Sequence, residues 1–127
     1  MSNVPEALLY TASHEWVRIE GNEATVGITD HAQDALNDIV YVELPKVGAE
    51  LGAGEEFGVV ESVKSVSDLY APLAGKVTQV NGELEDEPEM LNEDPYGKGW
   101  MVKLRIKDPA EAKKLLSAAA YKQQIGS

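Results

Sequence analysis

The stretch Gly58-Val59-Val60-Glu61-Ser62-Val63-Lys64-Ser65-Val66-Ser67-Asp68 sets one lysine between two strand patterns. Glu56 to Glu61 and Val66 to Ala71 each read as a strand, since β-branched residues suit a pleated surface. The chain must reverse between them, so Lys64 is predicted at a hairpin tip, fully presented to solvent. It is the only basic residue between Lys46 and Lys76. The turn holds no glycine, which disfavours a type I′ loop and predicts a type I turn. Position alone suggests no more than a solvated lysine.

The pattern continues outward from this hairpin. Trp16 to Glu20 and Ala24 to Thr29 flank Gly21-Asn22 and read as a second hairpin. Asp30 to Asn37 reads as a short helix, with Asp30 as N-cap and Gln33 completing a capping box. In Ile39 to Leu44, Val40, Val42 and Leu44 should face inward and Tyr41 and Glu43 outward, until Pro45 ends the strand. Pro72-Leu73-Ala74-Gly75 is a predicted turn, followed by a strand from Lys76 to Asn81. Glu83 to Glu89 carries five acids in seven residues and reads as a solvated loop, and Glu89 to Asn92 as one helical turn. Trp100, Val102, Leu104 and Ile106 should face the core, with Met101, Lys103, Arg105 and Lys107 toward water. Asp108 should cap a helix over Pro109 to Leu116, and Ser117 another over Ala118 to Gln124, with Gly126 just beyond. Two strand-rich segments, 39–61 and 66–81, hint at a duplication. The expectation is a mainly β sandwich or small barrel, one domain over 1–127 with a helical extension at 108–125.

Composition narrows function. The 127 residues include 11 cations, 22 carboxylates and no cysteine, for a net charge of −11. Residues 1–97 hold 4 basic and 20 acidic side chains; residues 98–127 hold 7 and 2. So acidic a body repels phosphate, which argues against nucleic acid and anionic membranes as partners. Lack of cysteine excludes a disulfide scaffold, a cysteine-ligated zinc and a thiol nucleophile. His14 and His31 show no nearby acid pair at ligand spacing, so no metal site is expected. The N-terminus resembles neither a secretory signal nor a transit peptide, and a cytoplasmic location is expected. No long apolar stripe is left over, so a monomer is expected.

Glu61-Ser62-Val63-Lys64-Ser65 followed by Asp68 resembles the lipoyl-attachment site of the glycine cleavage system H protein family. Ser13-His14-Glu15-Trp16-Val17 resembles that family's N-terminal signature, and Val26 to Asp34 its helix-entry segment. Val42-Glu43-Leu44-Pro45, Tyr70-Ala71-Pro72, Asn92 to Tyr96 and Gly97-Lys98-Gly99-Trp100 follow in the family's order, so the resemblance spans about residues 8–122. Biotinyl domains share the lipoyl fold, but their lysines are typically flanked by methionine; here the neighbours are Val63 and Ser65.

The resemblance implies a barrel-sandwich hybrid of lipoyl/biotinyl type, with lipoic acid in amide linkage on Lys64. It implies a carrier that is not an enzyme. Its partners would be a pyridoxal-phosphate glycine decarboxylase, a tetrahydrofolate-dependent aminomethyltransferase, dihydrolipoamide dehydrogenase and a lipoate-attaching enzyme. The chain would receive the aminomethyl group from the first, yield it to the second and pass electrons to the third. It further implies that Ser13, Glu15 and Asp68 receive the cationic aminomethyl arm in a cleft lined by Ile28. Glu61 would be read by the lipoylating enzyme. Ala35 departs from relatives that carry a polar residue or histidine there to help hold the arm. A lipoate relay donating lipoyl groups to 2-oxoacid dehydrogenase complexes is the alternative role, since it needs the same lysine.

Overall fold

The computed structural model describes residues 3–126. Among the described residues, nine strands form two antiparallel sheets. The strands are β1 (Leu9–Tyr10), β2 (Glu15–Glu20), β3 (Glu23–Ile28), β4 (Ile39–Glu43), β5 (Glu50–Leu51), β6 (Glu56–Ser62), β7 (Val66–Tyr70), β8 (Gly75–Val80) and β9 (Val102–Ile106). The larger sheet runs β1-β2-β3-β9-β8-β5 and the smaller β4-β6-β7. Each of the two strand-rich segments, 39–61 and 66–81, feeds strands to both sheets. The helices are α1 (Asp30–Leu36), α2 (Glu83–Asp86), α3 (Met90–Glu93) and α4 (Ala118–Ile125), with a 3-10 helix over Pro109–Lys114.

Apolar faces of the two sheets meet in the main core, where Val26, Ile28, Val42, Val60, Leu69 and Leu104 are buried. This is the expected mainly β sandwich. A second cluster packs Tyr10, Trp16, Ala118 and Tyr121, and so fastens α4 to the larger sheet. Tyr10 and Tyr121 stack with centroids 4.7 Å apart and planes 8° apart. The α4 boundary signals act as expected. Ser117 Oγ accepts from the Ala120 amide at 3.2 Å, and Gly126 closes the helix at φ 74°.

Four local expectations are corrected. Val40 is exposed, because β4 shifts register between Ile39 and Tyr41 and the alternation breaks there. Thr29, not Asp30, caps α1: its Oγ1 accepts from the Ala32 amide at 3.2 Å, while Asp30 accepts from Asn3 and Gln33. The acidic run at 83–86 forms α2, because Leu84 is fully buried and anchors that turn while its acids face water. Met101 is buried and Trp100 only half-buried, since the strand begins at Val102 and Trp100 still belongs to the turn from Gly97. In addition, the segment after Asp108 winds as a 3-10 helix rather than an α-helix.

One glycine sets the approach of β4 to the hairpin strand. A Cβ on Gly58 would overlap the Glu43 carbonyl oxygen, so only glycine admits this spacing. Gly58→Ala should destabilise the chain by about 1–3 kcal/mol, read as a lower denaturant midpoint with an unchanged m-value. A midpoint equal to the parent's would show that the strands can separate without loss.

Candidate functional site

The β6–β7 hairpin closes over Val63 and Lys64. The Ser62 amide donates to the Ser65 carbonyl at 2.8 Å. In the other direction the Ser65 amide donates to Ser62 Oγ at 3.1 Å, so a hydroxyl takes the place of a turn carbonyl. Neither Val63 nor Lys64 has a positive φ, in keeping with the missing glycine. Lys64 is exposed, and the one ion pair among the described residues joins Lys103 to Glu23, so its ammonium is free.

Strand alternation gives β7 two faces. Ser67 and Leu69 point inward, and with Ser13, His14, Ile28, His31 and the α1 residues Ala32 and Ala35 they line a cavity of ≈ 150 Å³. From Lys64 to Ser67 is three residues, at most roughly 10 Å of chain. Val66 and Asp68 point the other way.

Glu15 lies directly behind the cavity wall and is wholly buried. Its Oε1 accepts from Ser13 Oγ at 2.6 Å and from Thr11 Oγ1. Its Oε2 accepts from the Tyr70 amide on β7 at 3.2 Å. Burial raises its pKa, and the donors from Ser13, Thr11 and Tyr70 work against that rise. Ser13 spends its proton on this carboxylate, so its oxygen is left to accept from anything in the cavity.

The histidines line the same cavity. His14 adopts φ 71°, in the left-handed region, with its carbonyl accepting from the Thr29 amide at 3.1 Å. Its Nδ1 lies 2.8 Å from the Tyr121 hydroxyl, which lies 2.7 Å from Thr29 Oγ1. Burial, then the neighbouring His31 ring with its centroid 4.9 Å away, lowers the His14 pKa. α4 thereby braces the cap of α1 and one wall of the cavity.

Of the residues singled out from sequence, Ser13 and Ile28 line the cavity and Glu15 stands behind Ser13. Asp68 and Glu61 lie elsewhere: the Asp68 carboxyl meets Glu56, and Glu61 pairs across to Tyr41 and Val66. Ala35 does line the cavity, so its small side chain leaves room where a larger one would intrude. Ser67 and Tyr121 were missed. Period-two counting from Leu69 would have found Ser67; nothing local marks Tyr121, whose partners are 92 and 107 residues away.

The model of the glycine cleavage H-protein family matches residues 8–127. The chain belongs to that family. It is 60% identical over 121 residues to the glycine cleavage system H protein of Symbiobacterium thermophilum, covering 95% of this chain and 94% of the relative. To a probable glycine cleavage system H protein of Haloarcula marismortui it is 59% identical, covering 97% of each. A crystal structure of a glycine cleavage system H protein from Mycobacterium marinum superposes with a TM-score of 0.90 at 42% identity, covering 98% of this chain and 100% of that one. Members of the H-protein family are carriers rather than catalysts, and no helix among the described residues is long and apolar enough to cross a membrane.

The raised pKa of Glu15 has a definite sign for stability. Folding favours its protonated form, so this contribution is full below the unfolded-state pKa and is lost as pH rises through the folded-state pKa. The stability of the parent relative to Glu15→Gln should therefore fall as pH climbs from the ordinary carboxylate range. Paired denaturant titrations across pH test this, and a difference that stays flat or grows with pH contradicts it.

Proposed function

We propose that Lys64 bears lipoic acid in amide linkage, and that the chain carries the aminomethyl group and electrons between the enzymes of the glycine cleavage system. The observation that carries this reading is a free, exposed ammonium at a hairpin tip three residues, at most roughly 10 Å of chain, before the cavity-lining Ser67. An arm of lysine plus lipoic acid, on the order of 10–15 Å long at ~1.5 Å per bond, spans that gap. When attached, the group supplies a disulfide that accepts a one-carbon unit and two electrons.

The chain's own residues position and protect. Val63 and Lys64 form a two-residue tip whose backbone is pinned on both sides by serines, so the base of the arm is fixed while its reach is free. The inward face of β7 and the length of α1 wall the cavity on two sides. At its Ser13 end a hydroxyl oxygen backed by the Glu15 carboxylate can accept from a cationic amine. Ile28, Leu36 and Leu69 supply the apolar remainder, suited to methylene and sulfur. The partners we infer are the glycine decarboxylase, the tetrahydrofolate-dependent aminomethyltransferase, dihydrolipoamide dehydrogenase and a lipoate-attaching enzyme, met in the cytoplasm.

Incubation with lipoate, ATP and a bacterial lipoate–protein ligase should add a single lipoyl mass, absent from Lys64→Ala. A chain that stays bare rules the reading out. Ala35→Phe should fill the cavity and raise the rate of spontaneous aminomethyl loss by roughly 10-fold, as expected when about 1.4 kcal/mol of protection is removed. An unchanged decay rate would take the cavity out of the mechanism.

A further inference from the structure

The outward face of the small sheet is unlike the rest of the surface. Its ladder rows can be followed strand by strand. Tyr41, Glu61 and Val66 stand side by side in one row, and Glu43, Val59 and Asp68 in the next. Tyr41 is 47% exposed and Val66 63%, and Val63 at the tip is 68% exposed. Large apolar side chains this open are uncommon in one patch, and an open patch rimmed by polar groups marks a contact surface. Around it the carboxylates of Glu43, Glu61 and Asp68 have no cation within ion-pair distance among the described residues. Glu56 lies against Asp68, and the repulsion of Asp68 and Glu43 raises its pKa. A cationic surface laid here would relieve that repulsion.

We propose that this outward face, centred on Tyr41 and Val66, docks the enzyme that attaches the prosthetic group to Lys64, through an apolar surface rimmed by lysine or arginine. The inference rests on the carrier reading above. Three observations select this occupant. The Tyr41–Glu61–Val66 row lies at the base of the turn that carries Lys64, and a lysine side chain reaches only roughly 6 Å from its Cα. An enzyme closing on that amine must cover the neighbouring row. Before attachment there is no arm to recognise, so the protein's own side chains must supply the contact. Finally, the cavity opens on the inward side of β7, so docking outward leaves the parking place of the arm unobstructed.

The test uses the unlipoylated full chain with a bacterial lipoate–protein ligase, lipoate and ATP, with initial rates read by intact mass. Tyr41→Ser and Val66→Ser should each raise KM roughly 10-fold with kcat within about twofold, as truncation of a central anchor does. The double variant Glu43→Gln/Asp68→Asn should raise KM at low salt and flatten its rise between about 20 and 300 mM salt. Glu85→Gln, an exposed acid on α2, should change nothing. Calorimetry of Lys64→Ala binding to the ligase, with and without Tyr41→Ser, gives the same comparison without turnover. Should Tyr41→Ser melt early, the charge pair and its salt profile decide. KM and affinity equal to the parent's in all variants would overturn the proposal while leaving the carrier reading intact. Failure of the unaltered chain to gain mass would instead overturn the carrier reading, and the docking surface with it.

Discussion

A single buried carboxylate joins the two sheets where they matter most. β7 is an edge strand, and its Tyr70 amide has no strand to pair with. Glu15, the first residue of β2 in the other sheet, accepts from it. The same carboxylate gathers Thr11 and Ser13, which shapes the turn entering β2. An amide without a partner would be costly, and so would a carboxylate buried without donors; each offsets part of the other's penalty. The position of Ser13 in the cavity wall, and of β7 opposite it, follows from that pairing.

The second organising feature is the two-residue period of β7. Ser67 and Leu69 turn toward the cavity while Val66 and Asp68 turn to solvent. One strand thus gives a sheltered face and an exposed face within a few residues of Lys64. Under the proposed function, the sheltered face would take the arm and the exposed face a docking partner.

The C-terminal helix does more than cover the larger sheet. Through the Tyr121 hydroxyl it meets both His14 and Thr29, and Thr29 caps α1. Tyr121 is fully buried, and burial raises its pKa, so it remains a neutral donor and acceptor between the two. The basic C-terminal segment thus has, at this residue, a structural task at the cavity.

Local chemistry settled much from the sequence alone. Strand alternation, the glycine-free turn at Val63-Lys64, the Ser117 and Gly126 helix boundaries and the family motif around Lys64 all depend on neighbours within a few residues. What failed did so for equally physical reasons. Val40 is outward because a bulge breaks the count, and Leu84 is inward because a core on the far side had room for it. Glu15 is singled out in the sequence only through the family resemblance, and only the meeting of β2 with β7, 55 residues further on, buries it and supplies a donor. Likewise the meeting of Asp68 with Glu56, and the bracing by Tyr121, exist only once the chain has folded. Period and turn chemistry are short-range and legible in sequence; burial and long-range partners are properties of the assembled fold.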